Sequence, residues 1–341
     1  MEKQDQIFKH SYSYKLESGT SLPGFQLQYT TLGNLNADKS NVVWVCHALT
    51  GSSNFTDWWI ELFREGAFFD PKEYFIIAAN ALGGCYGSTG PLSLNPTTQK
   101  SYYHDFPKLT NRDIVGAFDL LRKELGLERI HTLIGGSLGG QQVLEWAIQK
   151  PSVFQHIIPI ACNAFHSPWG IAFNEAQRMA IETDSTWKER DHQAGINGLK
   201  TARAIGMISY RHYNTYEKTQ SEKYDDKTDD FRAASYQRYQ GQKLASRFNA
   251  FTYWFLSKAM DSHNVGRNRK SVEDALRKIK ARTLIVGIDS DILFPISEQN
   301  ILVDHIPNAS LRVITSQYGH DGFLVEFDQL NNILTTFYKN I

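Results

Sequence analysis

Six short stretches of this chain are apolar at nearly every position: residues 41–47, 74–80, 132–134, 157–162, 281–288 and 311–315. A run that is short and apolar without alternation reads as a strand buried on both faces of a sheet. Helical patterns lie between these runs, the clearest being residues 111–125, which Gly126 ends. Strands alternating with helices predict a mostly parallel sheet with right-handed crossovers. Residues 11–31 differ. Tyr12, Tyr14 and Leu16, then Phe25, Leu27 and Tyr29, alternate loosely about a turn at Ser21-Leu22-Pro23-Gly24, the pattern of an antiparallel hairpin at a sheet edge. A final helix is expected to begin near Phe323.

Residues 165–278 break the rhythm. They show no buried strand; residues 171–181, 196–210 and 242–260 carry helical spacing, and the charge-dense residues 218–230 read as an exposed turn. Trp169, Trp187, Tyr236, Tyr239, Tyr253 and Trp254 fall inside this segment. We read it as a helical lid inserted over a pocket and able to carry a dimer interface. The expected organisation is a core of residues 1–164 and 279–341 with a lid of residues 165–278.

In open parallel sheets, ligands sit beyond the carboxyl ends of the strands. The loops after His47, Asn80, Ile134 and Ala161 therefore share one edge. The loop after Ile134 reads Gly135-Gly136-Ser137-Leu138-Gly139-Gly140. Glycine-rich turns are common, but this one has an apolar strand before it and a helical pattern after it. That context predicts a sharp turn in which small neighbours avoid a Cβ clash and a serine hydroxyl stands free at a helix N-terminus. A serine nucleophile needs a base, and the base needs an acid. In chain order these follow as Ser, Asp or Glu, then His. The candidates are Ser137, then Asp289 or Asp291 after the next-to-last strand, then His320 in the glycine-flanked loop after the last. Asp291 is preferred because Phe294-Pro295 can pin its loop; Asp289 reads as a turn cap. His131, His156, His192 and His263 read as packing or surface residues. The oxyanion donors expected are the N–H groups of Leu138 and of Leu49, within His47-Ala48-Leu49-Thr50-Gly51. His47 precedes the serine and reads as a residue that shapes its loop.

Charge narrows the class. Lys plus Arg and Asp plus Glu are 36 each in 341 residues, so no net field steers nucleic acid or an anionic membrane to the chain. The three cysteines, Cys46, Cys85 and Cys162, have no metal-ligand spacing and form no disulfide framework. The start Met1-Glu2-Lys3-Gln4-Asp5-Gln6 is polar, without a secretory pattern, and no apolar run reaches the length of a membrane span. The expected compartment is the cytoplasm.

Longer motifs carry a resemblance. His47-Ala48-Leu49-Thr50-Gly51, the stretch from Asn80 through Cys85-Tyr86-Gly87 to Pro91, the glycine-rich turn at Ser137 and Leu144-Glu145-Trp146-Ala147 resemble the homoserine O-acetyltransferase family. So do the stretch from Asn174 to Ile181, Ser209-Tyr210-Arg211, Arg247-Phe248-Asn249-Ala250, the stretch from Asp291 to Pro295, and Gly319-His320-Asp321. The similarity runs from about residue 40 to the C-terminus and includes the lid. It implies an α/β-hydrolase fold and transfer of an acyl group, expected to be acetyl from acetyl-CoA, to the hydroxyl of L-homoserine in methionine biosynthesis. The serine and its base imply an acyl-serine intermediate with ping-pong kinetics, with no metal and no permanently bound cofactor, and the lid is expected to join a homodimer. The resemblance maps the catalytic triad onto Ser137, Asp291 and His320. It also implies Arg211 and Asp321 as the residues that hold the amino acid. The alternative for Asp321 is an N-cap of the final helix. One position departs from the pattern: the family usually has an aspartate where Asn249 stands. Competing readings are homoserine O-succinyltransferase, a plain serine esterase or thioesterase of the same fold, and a binding protein without catalysis. An intact Ser137, Asp291 and His320 oppose the last.

Overall fold

The computed structural model describes residues 3–339. Met1 and Glu2 of the polar start, and Asn340 and Ile341, lie outside the described residues. In chain order come strands β1 (Gln4–His10), β2 (Tyr14–Lys15), β3 (Ser21–Leu22), β4 (Phe25–Leu32) and β5 (Val42–Cys46). Helix α1 (Ile60–Phe63), β6 (Phe75–Ala79), α2 (Asn111–Glu124), β7 (Ile130–Gly136), α3 (Leu138–Gln149) and β8 (Phe154–Ile160) follow. Helices α4 (Pro168–Glu182), α5 (Ile196–Tyr210), α6 (Tyr213–Gln220), α7 (Arg232–Ala245), α8 (Ala250–Asp261) and α9 (Val272–Leu276) come next. The chain closes with β9 (Arg282–Ile288), α10 (Ile296–His305), β10 (Ala309–Ile314) and α11 (Phe327–Lys339).

Eight strands form one sheet in the order β1-β4-β6-β5-β7-β8-β9-β10. From β6 to β10 every neighbouring pair is parallel; β4 alone runs against the rest, antiparallel to β6 on one side and to β1 on the other. The sheet is thus mostly parallel, as the apolar runs predict. Its six parallel strands are those runs, because both faces are covered. One face packs Trp44, Phe118, Leu121 and Trp146 under α2 and α3; the other packs Phe55, Trp59, Phe63, Leu330, Leu334 and Phe337 under α1 and α11.

The expected hairpin is corrected. β4 exists, but its antiparallel partner is β1, in register from Gln4↔Thr31 to His10↔Phe25. Tyr14–Lys15 and Ser21–Leu22 form a separate two-stranded ladder. β1 is an edge strand with Phe8 its buried residue, so it needs little apolar patterning. Tyr14 is drawn off the sheet by donating its hydroxyl to the Asp113 carbonyl of α2 at 2.6 Å. The last helix also starts later than expected: Gly319–Leu324 winds as a 3₁₀ turn, and α11 begins at Phe327. The stretch 242–260 is not one helix but the end of α7 and all of α8, parted near Asn249.

α3 is buried along Leu138–Ile148, on all sides rather than one, and Gln141, Gln142 and Glu145 are enclosed with it. The Glu145 side chain, 1% exposed, lies between two guanidiniums: Arg112 Nε at 3.3 Å and Arg269 Nη1 at 3.0 Å. It ties α2, α3 and the segment before α9 together. Removing this charge leaves the Arg269 guanidinium without a carboxylate, while Arg112 keeps Glu17, so Glu145→Gln should lower unfolding free energy by about 3 kcal/mol. Glu61→Gln, which loses only an exposed partner of Arg64, should change it by less than about 0.5 kcal/mol. Urea denaturation of both variants distinguishes the two cases; equal midpoints would show that the Glu145 cluster contributes nothing.

Candidate active site

The site begins with a backbone problem. β7 ends at Gly136 and α3 begins at Leu138, so Ser137 must turn the chain alone. Its φ is 58° and its ψ −125°, the left-handed side that L-residues avoid. The turn closes against β5: a Cβ on Gly139 would stand 2.2 Å from the Cys46 carbonyl oxygen, and one on Gly135 2.7 Å from the Gly139 backbone. The Ser137 N–H donates to the Ile160 carbonyl at 2.9 Å, which pins the turn to β8. The Ser137 side chain makes no capping bond to its own helix. Leu138 is the first residue of α3, where an N–H has no acceptor one turn back.

Asp291 follows β9 in a tight turn. Its Oδ1 accepts the N–H groups of Leu293 at 2.8 Å and Phe294 at 2.9 Å, which leaves Oδ2 for His320 Nδ1 at 2.7 Å. His320 lies in the 3₁₀ turn after β10, 3% exposed, among the rings of Phe294, Phe323 and Tyr210. Burial presses the imidazole pKa down. The charge and hydrogen bond of Asp291, with the charge of Asp321, press it up and prevail, so the pKa lies above its ordinary value. Asp289 does something else: its Oδ1 accepts the Ser316 N–H at 3.0 Å and braces the turn that carries His320. His47 is held at both ring nitrogens, by the Ala48 carbonyl at 2.8 Å and the Ala81 N–H at 2.9 Å. It shapes its loop, as its place before the serine implies.

Ser137, His320, Leu49, Arg211 and Asp321 all line one cavity of about 530 Å³. Arg211 Nε stands 3.1 Å from Asp321 Oδ2, an ion pair in which the N–H misses hydrogen-bonding direction. Asp321 lies in the 3₁₀ turn, well before α11 begins, and so is not its N-cap.

Behind the serine lies a buried polar cluster that the sequence pattern does not reveal. Gln141 of α3 donates to Asn163 Oδ1 at 3.0 Å, and Asn163 donates to Glu298 of α10 at 2.8 Å. His263 Nε2 meets the Asn163 carbonyl at 3.0 Å, and Asn174 of α4 donates to Asp261 of α8 at 2.8 Å. Burial pushes the pKa of His166 and of His263 down to about 3, so both imidazoles stay neutral. The one available signal was the motif from Asn174 to Ile181. His131 and His156 stack with Tyr338 as packing residues, and His192 is exposed.

The model of the α/β hydrolase fold matches residues 41–327. A homoserine O-acetyltransferase of Cyclobacterium marinum is 55% identical over 338 residues, 99% of this chain and 96% of that protein. The chain belongs to the homoserine O-acetyltransferase family. The crystal structure of a homoserine O-acetyltransferase from Staphylococcus aureus is similar at 28% identity and TM-score 0.82, covering 99% of this chain and 95% of that one. The acetyl esterase MekB shares the fold with a TM-score of 0.85 at 23% identity, covering 98% and 96%. Asn249, read in the sequence as a departure from the family's pattern, caps α8: its Oδ1 accepts the Thr252 N–H at 2.8 Å. Asn and Asp serve equally well in that role.

The His320 environment yields a measurable shift. Asp321 contributes part of the upward push on its pKa. Asp321→Asn removes that charge, so the imidazole should lose its proton at lower pH than in the parent chain. Titration of ring-labelled histidine by NMR reads this directly. An unchanged or higher His320 pKa would show that Asp321 is screened from it.

Proposed function

We propose that this chain moves an acetyl group from acetyl-CoA to the hydroxyl of L-homoserine through an acetyl ester on Ser137. What supports this most is the Arg211–Asp321 ion pair, which shares the cavity of Ser137 and the Asp291-bonded His320. A hydrolase acting on simple esters has no use for an ammonium site and a carboxylate site beside its base.

In the first half, His320 Nε2 takes the Ser137 hydroxyl proton as Oγ attacks the thioester carbonyl. The N–H groups of Leu49 and Leu138 receive the oxyanion. The C–S bond breaks, and the sulfur leaves as a thiol with the proton from His320. In the second half, His320 takes the homoserine hydroxyl proton, and that oxygen attacks the acetyl-serine ester. The C–O bond to Ser137 breaks and Oγ recovers the proton. Asp291 keeps Nδ1 protonated and stabilises the imidazolium in both halves. Arg211 takes the substrate carboxylate as a fork, and Asp321 takes its ammonium. Held so, the hydroxyl gains a large effective concentration over water.

On this reading residues 165–278 are the lid, and residues 1–164 with 279–341 the core. Arg211 comes from the lid and Asp321 from the core. The enzyme works in the cytoplasm as a homodimer joined through the lid. Ile208 and Tyr213, 55% and 70% exposed on α5 and α6, support such a contact. Among the described residues no helix is long and apolar enough to cross a membrane.

Two sets of experiments test the assignment. Ser137→Ala should give no acetyl adduct by mass spectrometry after mixing with acetyl-CoA. Asp291→Asn should lower kcat by roughly 10⁴, as loss of a triad acid does elsewhere. Asp289→Asn keeps an acceptor for the Ser316 N–H and should cost little; equal losses in the two variants would refute the choice of acid.

The second set concerns the acceptor. Double-reciprocal plots against acetyl-CoA at several homoserine concentrations should be parallel, with acetylhomoserine rather than free acetate as product. Arg211→Lys should raise KM for homoserine about tenfold or more, because a point charge cannot replace the fork. Acetylation of Ser137 by acetyl-CoA should persist in that variant. Normal homoserine saturation in Arg211→Lys would remove the clamp from the mechanism.

A further inference from the structure

Six charged side chains line the cavity: Asp57, Arg203, Arg211, Lys243, Arg247 and Asp321. Arg211 and Asp321 are paired, and Asp57 accepts the side-chain amide of Asn54. The other three cations have no carboxylate partner among the described residues. The Arg203 guanidinium lies 5.4 Å from the centre of the Tyr210 ring, and Lys243 Nζ lies 5.9 Å from that of Tyr239. Arg247 donates to two neutral acceptors, the Thr50 carbonyl at 2.7 Å and the Tyr86 hydroxyl. Comparable arginines elsewhere are compensated: Arg112, Arg267 and Arg269 each meet Glu17 or Glu145. A chain with no net charge has concentrated uncompensated positive charge in the cavity that holds Ser137 and His320.

The placement is graded from inside to outside. Ser137 and His320, 6% and 3% exposed, form the floor. Arg203 of α5 is half-buried above them, while Lys243 and Arg247, at and just after the end of α7, are exposed. Met207 and Tyr210 of α5 and Leu244 of α7 line the same cavity from the helices that carry Arg203 and Lys243. A donor whose thioester reaches Ser137 must trail its remaining length outward past this wall.

We infer that Arg203, Lys243 and Arg247 form a phosphate-binding site at the solvent end of the cavity, which takes the nucleotide end of the acyl-CoA donor. This deepens the acyl-CoA reading above and rests on it. The chemistry matches by position. The acyl end is neutral and belongs at the floor; the arm next to it suits the apolar wall; the pyrophosphate and ribose phosphate carry the charge and belong at the rim. Guanidinium and ammonium donors hold phosphate oxygens through charge-assisted bonds. Mutual repulsion of three unpaired cations is relieved only when a polyanion arrives, so the site favours a donor with phosphates over a bare thioester. Arg247 has a second duty, because its bond to the Thr50 carbonyl fixes the residue beside Leu49. It couples the rim to the loop that supplies one oxyanion donor.

The test separates phosphate from thioester. S-acetylpantetheine presents the same acetyl thioester and arm as acetyl-CoA without the nucleotide. The unmodified enzyme should prefer acetyl-CoA in kcat/KM, and the preference should shrink as salt rises. Arg203→Gln and Lys243→Gln, chosen because neither holds the Thr50 loop, should each cut that preference about tenfold, the range of a hydrogen bond to a charged group. Lys243→Arg should restore it. Adenosine 3′,5′-bisphosphate should compete with acetyl-CoA, and more weakly in the two glutamine variants. Equal use of both thioesters by the unmodified enzyme overturns the site. So does an unchanged preference in both glutamine variants, or a rise in the homoserine KM in its place, which would assign these cations to the amino acid. If neither thioester acetylates Ser137 while p-nitrophenyl acetate does, the acyl-CoA reading falls and this site falls with it.

Discussion

A single serine at φ 58° sets the terms for everything around it. A left-handed L-residue costs on the order of 1–2 kcal/mol, and it persists only where the surroundings leave no alternative. Here they leave none. β7 is locked between β5 and β8, with Cys46↔Gly135 and Gly136↔Ile160 in register, so the strand cannot slip to relieve the turn. α3 is enclosed along most of its length and cannot tilt away. Gly139 passes so close to the Cys46 carbonyl that only a missing side chain permits the contact. The strain is sustained by sheet register and helix burial together, and its result is a hydroxyl held clear of its own helix.

The loops that meet this serine are stiffened by one device used repeatedly. A polar side chain in each loop is satisfied by backbone groups of its own or the next loop. Asp291 binds two amides and keeps one oxygen for His320; His47 spans Ala48 and Ala81; Asn80 takes the Ser53 N–H at 2.6 Å. Enclosed polar groups of this kind are costly to leave unmet, so each bond is also a constraint on loop position. The helices between β8 and β9 are attached by the same means. Thr215 of α6 donates to the Gln317 carbonyl in the loop after β10, and Arg247 donates to the Thr50 carbonyl in the loop after β5. The wall of the cavity is therefore anchored to its floor through polar contacts, while apolar packing supplies the bulk of the core.

Which parts were legible in the sequence follows from how each is buried. The six parallel strands announced themselves because covering both faces demands continuous apolar runs. Ser137, Asp291 and His320 were legible because a parallel sheet delivers successive loops to one edge, so chain order carries spatial information. β1 was not legible: one buried residue on an edge strand leaves no pattern. α7 was hidden for a related reason, since its buried residues are Gly241 and Leu244. The cluster of Gln141, Asn163, His166 and His263 was invisible because its members are far apart in the chain and polar. Polar residues read as surface until a fold encloses them. Asn249 drew attention as a departure from the family pattern, and its cap bond gives it a structural role that aspartate would fill in the same way.

If Arg211 and Asp321 hold the acceptor as proposed, their ion pair gives the site a way to prefer an amino acid to water or a simple alcohol. An isolated charge facing a half-enclosed cavity would pay heavily for desolvation. Two opposite charges at 3.1 Å hold each other at little cost. Yet the pairing falls short of hydrogen-bond geometry at Arg211 Nε. On the proposed reading, a zwitterion exchanges one opposite-charge arrangement for two, and the net charge of the site does not change on binding. A neutral alcohol has nothing to offer either residue and leaves the imperfect pair as it was. Discrimination built on polar groups that only the right substrate satisfies is steeper than discrimination by pocket size. On the proposed reading, the same fold placed around a cavity without this pair would retain the serine chemistry and lose the means of choosing its acceptor.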